Sequence, residues 1–447
     1  MTATETGADS QVPPELLKPG LTAGQRFRAI LGGSSGNLVE WYDWFVYSVF
    51  AVYFSRHFFP GDDDLAGLLK TMAVFAVGFF ARPLGAWLMG LYADRAGRRT
   101  ALTAAVSLMC GGSLIIAVLP GYETIGIAAP ILLVVARILQ GLSVGGEYGA
   151  SATYLSEMAG RRRRGFWSSF QFVTMVLGQL IALGVLSLMQ ALLPRPELEA
   201  WGWRIPFLIG AAMAVVVFWI RSRMDESQSY ENAKASGAER ARTMMLFLHY
   251  PKQTLTIFGF TAGGSLAFYA FTTYMPKFLT AKDHAAYFSD SMATAITAGG
   301  LVVYLFALPL FGWLSDHMGR KATLWIAFGG GALATYPVMT TLAATDNAWL
   351  AFALVSLMIF LMSGYNAVSA VVKAELFPAN IRALGVALPY GLSAAIFGGT
   401  AEAMALWFKS IGAESGFYIY VAGAMAIAFL IVFLLPDTRK HSLILED

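Results

Sequence analysis

A chain of 447 residues that is 57% hydrophobic and 13% charged, with 32 Phe against 31 Lys plus Arg and a mean hydropathy of +0.60, cannot fold as an ordinary water-soluble globule. Its formal charge of +3 carries no basic stripe for nucleic acid, and one cysteine, Cys110, excludes an intrachain disulfide. A polytopic membrane protein is the class that remains.

Residues 1–27 are polar, contain Pro and Gly and lack the apolar stretch of a signal peptide, so they read as a tail. A bilayer core of about 30 Å takes roughly 20 apolar residues per helix, and twelve such runs follow. Six lie near 28–55, 67–92, 101–119, 128–156, 166–192 and 203–221, and six more near 254–279, 290–315, 322–343, 349–373, 383–409 and 415–436. The expected architecture is all-α, with six-helix bundles over 28–221 and 254–436, a polar central loop over 222–253 and a tail over 437–447. Basic residues collect between runs two and three (Arg95, Arg98, Arg99), four and five (Arg161 to Arg164), eight and nine (Arg320, Lys321) and ten and eleven (Arg382). The alternate loops carry Glu123, Glu197, Glu199 and Asp346, and the positive-inside rule therefore puts the basic loops and both termini in the cytoplasm.

The two bundles repeat one another. Gly90-Leu-Tyr-Ala-Asp94-Arg95-Ala-Gly97-Arg98-Arg99 recurs 222 positions later as Gly312-Trp-Leu-Ser-Asp316-His317-Met-Gly319-Arg320-Lys321. Glu157 and Arg164, flanking the turn between runs four and five, recur 218 positions later as Glu375 and Arg382. Two such offsets, agreeing within a few residues, mark a duplicated membrane unit. Gly97 and Gly319 permit a tight reversal, Asp94 and Asp316 can accept from helix N-terminal amides, and the Arg and Lys residues of the turns can pair with Glu157 and Glu375 at neighbouring helix ends.

Charges inside the runs are confined to the first bundle. Glu40 and Asp43 fall near mid-membrane in run one, on a shared face with Asn37 and Tyr47. A carboxylate at that depth faces a wet cavity, pairs with a cation or holds a proton; proton coupling and a permanent ion pair are both open. Arg137 in run four is at about the same level. Arg82 stands inside run two beside Pro83, with Gly78 and Gly85 near it, as an anion ligand or as a bridge to Glu40 or Asp43. Gln140, Gln171, Tyr274, Tyr365 and Asn366 offer amides and hydroxyls to a substrate, as do Thr174, Gln179, Tyr269, Tyr304 and Tyr390. Glu147 reads as an inner-gate residue or as one that supports the site without joining the same pair. Lys277, Lys373 and Lys409 lie near run ends, where snorkelling towards water is expected. No phosphate loop or His-Glu-x-x-His zinc motif is present, so an ATP-driven pump or a zinc peptidase is not expected; nor is any metal or cofactor.

The repeated turn resembles the loop between helices two and three of the major facilitator superfamily. Gly36-Asn37-Leu-Val-Glu40-Trp-Tyr-Asp43-Trp, Arg82-Pro83-Leu-Gly85, Arg137-Ile-Leu-Gln140-Gly141-Leu-Ser-Val-Gly145-Gly146-Glu147-Tyr-Gly149 and Trp201-Gly-Trp203-Arg204-Ile-Pro206-Phe are similar to segments of its metabolite:proton symporters. Pro120 to Gly126, Gly259 to Ser265, Phe271 to Met275 and Phe397 to Glu402 resemble the bacterial 2-oxoglutarate (α-ketoglutarate) permeases. The resemblance implies an inner-membrane symporter for a small carboxylate. Its partners are then that carboxylate, protons as the coupling ion and membrane lipids, with no obligatory protein partner. It implies coupling through Glu40, Asp43 and Arg137, a substrate site around Arg82 and Arg137, and a conformational latch made of Gly90, Asp94, Gly97, Arg98 and Glu157 with Gly312, Asp316, Gly319, Arg320 and Glu375. Related carriers of osmolytes, shikimate-like acids and citrate share the frame.

Overall fold

The computed structural model describes residues 23–61, 64–236, 242–281 and 284–444. Most of the expected tail over 1–27 falls outside them, but the first helix begins inside it. The first half contains α1 (Ala23–Phe58), α2 (Asp64–Ala96), α3 (Arg98–Val118), α4 (Ala128–Met158), α5 (Arg161–Leu192) and α6 (Arg204–Arg221). The second contains α7 (Pro251–Thr272), α8 (Asp290–Met318), α9 (Arg320–Leu342), α10 (Ala348–Glu375), α11 (Arg382–Ser410) and α12 (Glu414–Leu434). Eleven of these are long and apolar enough to cross a bilayer among the described residues. The twelfth, α1, has the length but carries Asn37, Glu40 and Asp43 midway, so its polarity has a functional reading. Helices are the economical solution here because every backbone amide is satisfied within its own segment.

The first half is built by packing α2 and α3 on α4, α1 on α5, and α3 on α6. Where α2 crosses α4, Cβ atoms at Gly141 and Gly145 would run into the carbonyls of Gly78 and Arg82. Glycine is therefore what lets these two backbones touch, and the touch fixes the level at which Arg82 leaves α2. In the second half α8 packs on α10, while α7 and α9 pack on α12. Between halves α2 lies on α11, α5 on α8 and α4 on α10, an arrangement that respects the duplication.

The connecting segments are more than spacers. The central loop carries short helices at Gln228–Ala235 and Thr243–Leu248, and just before them Glu226 accepts from the backbone amides of Arg98 (3.0 Å) and Arg99 (3.2 Å) at the start of α3. Burial holds the Glu226 carboxyl above its ordinary value even though these amides pull it down. Asp437 does the same for α9 in the second half, accepting from the Arg320 amide at 3.2 Å. The expected tail over 437–447 is thus docked as far as it is described: Thr438 donates to Glu375 at 2.6 Å, and Arg382 donates to the Leu443 carbonyl at 2.8 Å.

Candidate functional site

At the face that carries both ends of the described chain, the repeated turns clasp the two halves together. Asp94 accepts from the amides of Ala383 (3.0 Å) and Leu384 (2.8 Å) at the start of α11, across the halves. Asp316 answers from the other side, accepting from Gly165 (2.8 Å) and Phe166 (2.9 Å) near the start of α5. Carboxylates at helix N-termini meet both free amides and the positive end of the dipole. Glu157 is shared by Arg98 and Arg382, the latter at 2.6 Å, and Glu375 by Arg320 at 3.6 Å and Arg164 at 3.9 Å. Each acid therefore holds one arginine from each half. Gly97 (φ +106°) and Gly319 (φ +95°) take backbone conformations that favour glycine. Gly90 and Gly312 lie where the opposite half presses against the helix: a Cβ would come 3.0 Å from Leu384 Cα in one case and 2.7 Å from the Gly165 carbonyl in the other.

Midway along the first half, α1 turns its acids towards α3 and α4. Asp43 accepts from Ser113 Oγ and Gln140 Nε2, and Gln140 Oε1 in turn accepts from Arg137 at 2.6 Å. Arg137 therefore reaches Asp43 through Gln140, not by a direct bridge. Its guanidinium, 0% exposed, lies 4.3 Å from the ring centres of both Trp44 and Tyr47, with Phe75 at 4.9 Å. One helical turn from Asp43, Glu40 accepts from Ser143 Oγ. Glu147 is bound to Arg221 of α6, a buried ion pair that also ties Arg221 to the Leu102 carbonyl. Asp43 Oδ1, Glu40 Oε2, Arg137 Nε and Arg137 Nη2 have no hydrogen-bond partner among the described residues, a costly state for buried polar atoms.

Arg82 faces the second half. It is 6% exposed, donates to Tyr269 Oη of α7 at 3.2 Å and lies over Trp41, Phe79 and Trp44 at 5.2–5.4 Å. Beyond it Tyr148 of α4 and Tyr390 of α11 stack with ring centres 3.6 Å apart, and Tyr390 is within electrostatic reach of Arg82. Behind this stack stands a residue that the sequence reading assigned to the membrane edge. Lys373 is 0% exposed; its ammonium points inward, donating to Ser369 (2.7 Å) and Tyr148 (2.9 Å). The expectation of snorkelling fails because Lys373 stands one turn beyond Ser369 and two beyond Tyr365 on one face of α10, and side chains tilt towards a helix N-terminus, here the membrane interior. The second half therefore does hold a deep charge.

Three other expected ligands lie outside this interface. Gln171 is spent between helices, accepting from Ser151 (2.7 Å) and donating to Asn37 (3.1 Å). Asn366 donates to Tyr304 within the second half. Tyr274 packs at the end of α7 against Phe417 and Phe278. Tyr365, by contrast, joins the cluster, with its hydroxyl 3.5 Å from Lys373 Nζ. The missed residues, Tyr148 and Lys373, had a usable signal: Lys373 sits at i+4 from Ser369 and i+8 from Tyr365, a polar stripe in an otherwise apolar helix.

One distinction organises all these charges. Eight cationic side chains are buried among the described residues, and Arg98, Arg164, Arg221, Arg320 and Arg382 each have a carboxylate within 4 Å. Arg82, Arg137 and Lys373 do not; their contacts are to Tyr269, Gln140, and Tyr148 with Ser369. Buried cations without anions are expensive unless an anion comes to them. Such a layer, between halves clasped on one side only by paired charges, is suited to receive a carboxylate.

The chain is similar to known transporters over most of its length. A family model described as sugar (and other) transporter matches residues 29–249 and 228–446. The chain is 46% identical over 419 residues to the alpha-ketoglutarate permease of Escherichia coli (strain K12), covering 93% of this chain and 95% of that protein. It is 34% identical over 393 residues to the citrate-proton symporter of Klebsiella pneumoniae, covering 88% and 87%. Among solved structures, the major facilitator superfamily proton:xylose symporter bound to 6-bromo-6-deoxy-D-glucose superposes with a TM-score of 0.80 at 19% identity, over 95% of this chain and 98% of that one.

Proposed function

The chain belongs to the sugar (and other) transporter family of the major facilitator superfamily, a family of membrane transporters and not enzymes, and on that premise we propose that it is a proton-coupled symporter. It imports a small carboxylate, 2-oxoglutarate or a related dicarboxylate, across a bacterial cytoplasmic membrane by alternating access. The clasped face is the cytoplasmic one, and the conformation is closed there. Arg98, Arg320, Glu157 and Glu375 with the repeated turns form the latch.

The observation that carries the reading is the set of three buried cations without carboxylates, one of them, Arg82, at the interface between halves. A guanidinium offers a carboxylate two parallel hydrogen bonds and stays charged at every working pH. Arg137 is screened from cargo by Trp44, Tyr47 and Phe75, so its role here is electrostatic: it balances Asp43 through Gln140. A proton on Asp43 or Glu40 removes that balance and leaves excess positive charge for an anion, which links proton loading to cargo loading. The alpha-ketoglutarate permease likeness supports the cargo. A tricarboxylate is the second reading, favoured by the citrate-proton symporter likeness and by the count of three cations; the burial of Arg137 weighs against it.

The test is uptake of labelled 2-oxoglutarate into proteoliposomes that are acidic outside. Uptake above equilibrium that a protonophore abolishes is the expected result, with unlabelled 2-oxoglutarate competing better than citrate, shikimate or betaine. Uptake indifferent to the protonophore would remove the coupling claim, and stronger competition by citrate would replace the cargo.

A further inference from the structure

The family reading leaves Lys373 without a task. It lies two residues before the end of α10, beside the latch, yet its ammonium turns away from the nearby aqueous face. Among the described residues no carboxylate lies within ion-pair distance of it; its hydrogen-bond acceptors are the neutral hydroxyls of Ser369, Tyr148 and, at 3.5 Å, Tyr365. Tyr390, Tyr148, Tyr365 and Phe260 surround the charge with ring centres at 4.2, 5.0, 5.6 and 5.7 Å. Hydroxyls and ring faces stabilise an ammonium less than water does, so the site holds a charge that is under-satisfied in this conformation.

Its neighbours say where an anion would meet it. Tyr148 comes from the first half, whereas Lys373 and Tyr390 come from the second, so the ammonium is bound across the boundary that opens and closes during transport. Tyr390 has Lys373 on its ring and is in electrostatic reach of Arg82, and it keeps part of its surface uncovered. Lys373 thus lies on one member of a tyrosine pair, while Arg82 approaches the next residue from the opposite half: a Cβ at Gly391 would stand 3.9 Å from its carbonyl oxygen. The cage already contains a cation of the protein's own, which disfavours a quaternary-ammonium cargo seated there.

We propose that Lys373 is a substrate ligand: it takes one carboxylate of a dianion whose other carboxylate lies on Arg82, and so selects cargo by carboxylate count and ties the two halves through it. The proposal rests on the carboxylate-carrier reading and adds the second anchor to it. Binding needs no covalent step. The ammonium exchanges the Tyr148 hydroxyl for a carboxylate oxygen, and the contact between halves passes from tyrosine to cargo.

The decisive measurement is binding of 2-oxoglutarate and of pyruvate, its one-carboxylate analogue, to the reconstituted full chain, for wild type and three variants. Wild type prefers 2-oxoglutarate. Lys373→Gln weakens 2-oxoglutarate about 10- to 100-fold, the size of a charge-assisted contact, and leaves pyruvate within about twofold. Lys373→Met, which fills the aromatic cage without a charge, gives the same collapse of preference if the Gln variant folds poorly. Tyr148→Phe, which removes only the bridge between halves, keeps the preference. Equal losses for both acids in the Lys373 variants, an unchanged preference, or a Tyr148→Phe variant that reproduces the loss would each overturn the proposal. If wild type binds neither acid, the carboxylate reading falls too, whereas intact binding with unchanged preference defeats only the role of Lys373.

Discussion

Two layers of the molecule treat charge in opposite ways. At the clasped face every buried arginine has its carboxylate, and the pattern repeats across the halves: Asp94 with the start of α11, Asp316 with the start of α5, Glu157 with Arg98 and Arg382, Glu375 with Arg320 and Arg164. Inward of that face the pattern is broken. Glu40, Asp43, Arg82 and Arg137 stand in the first half, Lys373 alone in the second, and none of the three cations has an ion-pair partner among the described residues. Paired charges hold a conformation, because separating them leaves an uncompensated ion. On the proposed function, the unpaired ones wait for an anion or a proton. Symmetry serves the frame, and its absence marks the chemistry.

The sharpest way to break the comparison is to remove the free cation at the interface. Arg82→Gln should lower 2-oxoglutarate transport by about 100-fold or more, the loss of a bidentate charged contact, while melting of the purified protein stays near wild type. A variant that melts early with proportional loss of transport would make Arg82 a frame residue instead. Next in size is Asp43→Asn, for which accumulation driven by a pH gradient should disappear while exchange of internal for external substrate survives. If accumulation survives and Glu40→Gln abolishes it, the coupling acid is Glu40.

In the paired layer the expected effects are conformational. Glu157→Gln strands Arg382 and leaves Arg98 with Asp94 as its remaining carboxylate, a penalty of about 3–5 kcal/mol for the broken buried pair, and should open the clasped face. Hydrogen exchange should then accelerate over 379–386 with little loss of substrate affinity. Arg382→Gln, breaking a 2.6 Å contact, should do this more strongly than Arg164→Gln, which breaks one of 3.9 Å. Smaller still, Gly97→Ala forces a side chain onto φ +106° and into the Glu226 carboxylate, about 1–2 kcal/mol of destabilisation seen as a lower melting temperature. Tyr274→Phe should leave transport within about twofold of wild type, since Tyr274 packs against Phe417 and Phe278 away from the interface.

Local chemistry carried much of this in the sequence. Twelve apolar runs, glycines at the reversals, acids placed to cap helices and Glu40 with Asp43 on one face of α1 are all relations between near neighbours, and helical geometry converts them directly into structure. The duplicated turn marked Glu157 and Glu375 as partners for its own bases, but not that each acid would also take an arginine from the other half. Long-range choices were hidden. Arg137 and Asp43 share a level, but only packing shows Gln140 between them and Trp44 over the guanidinium. Gln171, Asn366 and Tyr274 are as polar in sequence as Tyr365 and Tyr390, yet three of them point into contacts within a half. Lys373 near a run end is indistinguishable from a snorkelling lysine until α4 and α11 bring Tyr148 and Tyr390 around it. What the sequence by itself determined is the membrane class, the duplicated helical frame and the acids within α1, because these follow from spacing along the chain. Which buried charges are paired and which are not was decided by the tertiary structure, since pairing depends on distances between helices that spacing does not encode.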